Sequence, residues 1–133
     1  MLIAIAGLLF LVAVFILLGT RTNDDRRVLI QVTDEQKLGM VLANAINTSR
    51  SIPDVELVVI VCGPAIAALK LNSPAGREID NARRHGIGIV VCEDSMRGMQ
   101  LTRNDMYPGL DYVSYALTEI VTKQFGGWIY VRS

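Results

Sequence analysis

One histidine and two cysteines occur among the 133 residues. A closed zinc site draws four such ligands and a disulfide framework draws several bridges, so neither class fits, and no metal or cofactor is expected. An excess of one charge is also missing, because 13 Lys and Arg balance 13 Asp and Glu. Nucleic-acid binders carry a basic excess, so nucleic acid is not an expected partner. The chain contains no G-x-G-x-x-G turn and no phosphate-binding loop. Gly86-x-Gly88 opens an apolar run and does not link a strand to a helix, so it is no dinucleotide turn. The lone His85 precedes a helix-ending Gly86, where it reads as a cap to the helix dipole, and no Ser–His–Asp constellation forms around it. Internal repeats and low-complexity segments are absent as well.

What the chain does have is a long apolar start. Residues 1–19 hold 17 apolar residues and two glycines. The remaining 114 residues are about 45% apolar, an ordinary globular value for one domain. As a helix, Met1 to Leu18 would reach roughly 27 Å, near the lower limit for a bilayer span. No Lys or Arg precedes it, and Leu17-Leu18-Gly19-Thr20 is a poor cleavage site. The reading is a transmembrane anchor over 1–19, or an uncleaved signal, then a linker over 20–27 and a domain over 28–133. Arg21, Arg26 and Arg27 follow the run, which favours the domain on the cytoplasmic face of the membrane. A leader peptide would reverse that to the extracytoplasmic side.

Along the domain, short β-branched runs alternate with helical patterns. Val28–Val32, Val55–Val61, Ile87–Cys92, Tyr112-Val113 and Trp128–Val131 read as strands. Thr33 with Gln36 suggests a capping box before a helix whose apolar face is Leu38, Val41, Leu42, Ala45 and Ile46. Ser73-Pro74 suggests the start of a second helix, ending at Arg83-Arg84 and Gly86. A short helix is expected from Glu93 through Leu101. Ser114 suggests a cap for a last helix bearing Leu117, Ile120, Val121 and Phe125. The order βαβαβαβαβ implies an α/β, three-layer α/β/α domain with a mostly parallel five-stranded sheet, behind an N-terminal hydrophobic helix.

Chemistry in such sheets gathers at the carboxyl ends of strands. Cys62 and Cys92 both stand at such ends. The helix following Cys92 would offer unpaired N–H groups, which favour thiolate over thiol. Glu93 and Asp94 would oppose that if turned inward. The competing reading is a buried structural cysteine. Cys62 has the same placement, but Pro64 in Cys62-Gly63-Pro64 lacks an amide hydrogen. If the two strands are neighbours, one cysteine could resolve the other; spacing alone leaves that open. Asp105 reads as a turn or cap carboxylate, and Tyr107, Tyr112 and Trp128 as packing residues.

Several of these residues, taken in order, resemble the DsrE/DsrF-like (YchN-like) sulfur-relay family. They are Val28-Leu29-Ile30-Gln31-Val32, Cys62-Gly63-Pro64, Val91-Cys92-Glu93-Asp94-Ser95-Met96, Leu101-Thr102-x-x-Asp105 with Pro108-Gly109, and Gly127-Trp128-x-Tyr130. The match spans about residues 27 to 132. It implies a homotrimer or homohexamer, and a sulfurtransferase-like carrier holding a persulfide on a cysteine. The C-x-N-T-M-like segment of one branch aligns its cysteine with Cys92, with Asp94 where Asn is usual and Ser95 where Thr is usual. The resemblance thus implies Cys92 as the sulfur-bearing residue. Glu93, Asp94, Ser95 and Met96 would shape its pocket, with Cys62, Gly63 and Pro64 beside it. The expected partner is a sulfur donor or acceptor protein with a reactive cysteine. The alternative is a non-catalytic small-ligand or protein-binding assembly module of the same fold.

Overall fold

A computed structural model describes residues 3–9 and 25–133. The anchor expected over 1–19 and the linker over 20–27 lie mostly outside them. Residues 3–9 are helical and exposed. Among the described residues no helix is long and apolar enough to cross a membrane.

Five strands form one sheet in the order β4-β3-β2-β1-β5. They are β1 (Arg27–Val32), β2 (Glu56–Val61), β3 (Gly88–Cys92), β4 (Asp111–Val113) and β5 (Ile129–Arg132). Every pairing is parallel, with Val32 opposite Val61, Val61 opposite Val91, and Cys92 opposite Val113. After the helical residues 3–9, the α-helices among the described residues are α1 (Leu38–Ser51), α2 (Gly76–Arg84), α3 (Glu93–Gly98) and α4 (Ala116–Phe125).

The strand order decides which face each helix covers. From β1 to β2, β3 and β4 the chain steps in one direction along the sheet. Right-handed crossovers therefore put the intervening segments on one face. The step from β4 back to β5 reverses direction, so the same handedness sends α4 to the opposite face. The two cores match this geometry. One packs Val32, Val59, Val61, Ile89 and Val91 under α1 and α2, with Met96, Met106 and Leu110 from the β3–β4 connection. The other packs Leu29, Val58, Ile60, Cys62, Val90 and Cys92 under Ala116 and Ile120 of α4, with Trp128 at its margin. Strand residues alternate between the two because successive side chains point to opposite faces.

Helix starts differ from the sequence expectations. The side-chain cap is Asp34, one residue past Thr33: its Oδ1 accepts from Gln36 N at 2.9 Å and caps a 3-10 turn over Glu35–Lys37, while Lys37 at the start of α1 offers no side-chain cap. Ser73 accepts from Ala75 N at 3.0 Å, which closes a turn that precedes α2, and α2 itself begins only at Gly76. The helix after Cys92 stops at Gly98 and not at Leu101. The cap residue of α4 is Tyr115, not Ser114, and it offers no side-chain hydrogen bond. On α4 the sheet takes Ala116 and Ile120, while Leu117, Val121 and Phe125 face outward; Phe125 is 88% exposed. Both rows have helical spacing, so periodicity alone could not choose between them.

Candidate functional site

Cys62 and Cys92 meet at the carboxyl end of the sheet, on the face covered by α4. Cys62 is still extended (φ −146°, ψ 170°), and its N–H donates to Val32 O at 3.2 Å. It therefore continues β2 by one residue, beside Cys92 at the end of β3. Both thiols are free and buried, at 8% and 4% exposure.

Each sulfur has its own hydrogen-bond donor. Cys92 Sγ accepts from the backbone N–H of Ala116 at 3.4 Å. Ala116 is the first residue of α4, so the sulfur stands where a side-chain cap would otherwise be. The donor helix is thus α4, not α3 directly after Cys92: Cys92 is itself the cap residue of α3, and its side chain makes no capping bond there. Cys62 Sγ accepts from Gln31 Nε2 at 3.3 Å. The other end of that amide is fixed by Tyr130, whose hydroxyl donates to Gln31 Oε1. Burial pushes the Cys62 thiol above its ordinary pKa. The Gln31 hydrogen bond works against that push, the Cys92 sulfur adds to it, and the Arg132 charge opposes it.

The turns after β2 and β3 are tied together. Gly63 N donates to Ser95 Oγ at 2.9 Å, and Asp94 N donates to Ser114 O at 3.1 Å. Gly63 holds φ +58°, in the left-handed region that suits a residue without a Cβ. Pro64 is exposed in the first turn of a short 3-10 helix over Gly63–Leu69. The acidic pair does not turn toward the thiol. Glu93 is held by Arg103 at 3.0 and 3.3 Å, and Arg103 lies over the Tyr112 ring at 4.3 Å. Asp94 is bridged by Arg97 at 3.1 Å. Met96, expected in the pocket, is buried in the core beneath α1 and α2, because α3 is part of the β3–β4 crossover, which lies on that face.

Other candidates have structural roles. Asp105 Oδ2 accepts from both Thr102 N and Thr102 Oγ1, which holds its carboxyl below the usual carboxylate range. His85 caps the end of α2, as its position suggested, through Nδ1 and Asn81 O at 2.8 Å. Its Nε2 faces the Arg50 guanidinium at 3.0 Å, which can only donate. Two open clefts of about 500 and 430 Å³ share Glu35, Ser73 and Pro74, and neither reaches a cysteine. Among the described residues no group of three or more His, Cys, Asp or Glu could hold a metal ion.

No family model and no curated protein matches the chain. Solved structures do. A protein of unknown function from Methanobacterium thermoautotrophicum superposes with TM-score 0.75 at 24% identity, over 82% of this chain and 100% of that one. The ychN protein of E. coli superposes with TM-score 0.64 at 11% identity, over 82% and 99%. The fold is DsrE/F-like. A third YchN-like match, a conserved protein of unknown function from Bacteroides thetaiotaomicron, reaches TM-score 0.68 at 17% identity, over 84% and 98%. At these identities the likeness extends to the fold alone.

Three site residues escaped the sequence reading: Gln31, Tyr130 and Arg132. One signal was present. Gln31 is the single polar residue in the otherwise apolar Val28-Leu29-Ile30-Gln31-Val32 of a central strand. A polar side chain there must find a partner, and the partners are a thiol and a phenol.

Proposed function

We propose that this chain is a sulfur carrier of the DsrE/F-like fold, with Cys92 as the sulfur-bearing residue. The observation that carries the reading is the Ala116 N–H aimed at Cys92 Sγ from the first turn of the ten-residue α4. A helix N-terminus stabilises an anion, and a thiolate is the attacking species in sulfur transfer. In loading, the Cys92 thiolate attacks the outer sulfur of a donor persulfide, R–S–SH. A Cys92–S–SH bond forms and the donor leaves as its thiolate. Handing the sulfur to a partner cysteine repeats the step with the roles exchanged. Ser95 and Gly63 hold the adjoining turns, and Cys62 is the neighbouring thiol.

The carrier is tethered through residues 1–19, with the domain on the cytoplasmic face. It assembles as a trimer or hexamer through apolar surface such as Leu117, Val121 and Phe125 on the outer side of α4. Burial of both thiols favours a second reading, in which the fold is a binding or assembly module and the cysteines are core residues.

The test is the intact mass of the full chain in mild detergent, before and after exposure to a sulfane-sulfur donor. A gain of one sulfur that reverses with reductant and vanishes in Cys92→Ser is the expected result. Undiminished loading in a folded Cys92→Ser chain rejects the assignment. Failure of the wild type to gain sulfur, with Cys92 resisting alkylation until the chain unfolds, favours the binding module.

A further inference from the structure

Cys62 is the group at this site with no part in loading. It adjoins the proposed sulfur-bearing residue in space, not in sequence. Val61 pairs with Val91, and each cysteine is the next residue along its strand. Adjacent strands lie about 4.8 Å apart, which falls inside the span of α-carbon separations that a disulfide bridges. Both side chains enter the same core beneath α4. Their charges interact, since the Cys92 sulfur is among the groups that raise the Cys62 thiol. Gln31 donates to Cys62 Sγ, whose thiol itself faces Val32 O at 4.0 Å, and Ala116 donates to Cys92 Sγ.

We infer that Cys62 is a resolving thiol, which discharges sulfur held on Cys92 as hydrosulfide and leaves a Cys62–Cys92 disulfide. This rests on the carrier reading above and extends it. The Cys62 thiolate attacks the inner sulfur of Cys92–S–SH. The bond between the inner and outer sulfurs breaks, a Cys62–Cys92 bond forms, and the outer sulfur leaves with its proton as HS⁻. The sulfane sulfur is reduced to sulfide and the two cysteine sulfurs are oxidised to the bridge. Two molecules of a small thiol of the glutathione class then reduce the bridge by exchange, leaving as their own disulfide. Over the cycle, one sulfane sulfur and two thiols become one hydrosulfide and one disulfide. The chain so equipped delivers sulfur to solution as well as to a partner cysteine.

The experiment loads the full chain with inorganic polysulfide under anaerobic conditions, removes the excess, and follows intact mass, free hydrosulfide and peptide maps. In the wild type the one-sulfur adduct should decay to a species two hydrogens lighter than the reduced chain, with hydrosulfide released in equal amount. Glutathione should then return the reduced mass. In Cys62→Ala, and in Cys62→Ser as a second variant checked for native unfolding behaviour, the adduct should persist, with decay at least about tenfold slower because the attack is no longer intramolecular. Equal decay rates with no 62–92 bridge overturn the inference while leaving the carrier reading intact. Recovery of the sulfane sulfur on Cys62 itself, with no bridge, does the same. A wild-type chain that takes no sulfur at all overturns both.

Discussion

The two faces of the sheet differ in how they are covered and in what they carry. Beneath α1 and α2 lies a wholly apolar core, in which Leu38, Leu42, Val59, Ile66 and Ile79 have no exposure. The opposite face has one helix, α4, whose first residue donates to a sulfur and whose outer side is bare. Gln31, Cys62 and Cys92 all lie on that thinner side, with Tyr130 from β5. Strand order produces the asymmetry: three connections run one way and a single connection runs back. The thick face carries the larger apolar core, and the thin face carries the polar and sulfur-bearing side chains at its carboxyl edge.

Paired truncations would break this contrast most directly. Leu42→Ala, beneath α1, should destabilise the chain by about 3–4 kcal/mol and leave sulfur loading unchanged in the molecules that remain folded. Ile120→Ala, beneath α4, should cost about 2 kcal/mol and lower the loading rate, because it loosens the helix that bonds to Cys92. Denaturant midpoints and intact-mass loading curves check both. Equal effects on loading would dissolve the distinction between the faces.

A smaller effect is expected at the tie between the turns. Ser95→Ala removes the acceptor of Gly63 N–H and should cost about 1 kcal/mol, read from the same midpoints. Alkaline titration sharpens the comparison further. Burial raises the Cys62 pKa in the folded chain, so its contribution to stability is complete below the ordinary thiol pKa. That contribution is lost as pH rises through the higher folded value. The unfolding midpoint should therefore fall with pH on the alkaline side, and fall less steeply in Cys62→Ala. The smallest change in stability is expected on the outside of α4, where Phe125→Ser should stay within about 0.5 kcal/mol. Light scattering should show it shifting the proposed trimer or hexamer toward smaller species.

The strands were legible because Val55–Val61 and Ile87–Cys92 are β-branched runs closed by turn residues. Both cysteines could be placed at strand ends for the same reason. Their adjacency was not legible, because it depends on β2 and β3 being neighbours, and strand order is a property of the whole chain. The cap of α4 was hidden for a related reason. Helix-start signals are local, and Ser114 has the right chemistry, but the group that meets Ala116 N–H comes from 24 residues upstream. Which row of α4 faces outward was not legible, because Leu117, Val121 and Phe125 are as apolar as the buried row. Their exposure follows from the direction in which the last crossover lays the helix on the sheet.

The pairing of β1 with β5 also has a consequence for the order of folding. Val28 pairs with Ile129, and the Tyr130 hydroxyl reaches Gln31 across 99 residues of sequence. Closing so large a loop carries a high entropic cost before any contact rewards it. On a ribosome, β1 through β4 emerge before β5, so both thiols exist before Tyr130 and Arg132 arrive to orient and polarise their surroundings. Until then β1 presents an unpaired edge, and Gln31 lacks the hydroxyl that fixes its amide. The hydrogen-bond chain from Tyr130 through Gln31 to Cys62 is therefore finished only when β5 arrives, and a chain stalled short of β5 carries both cysteines without it.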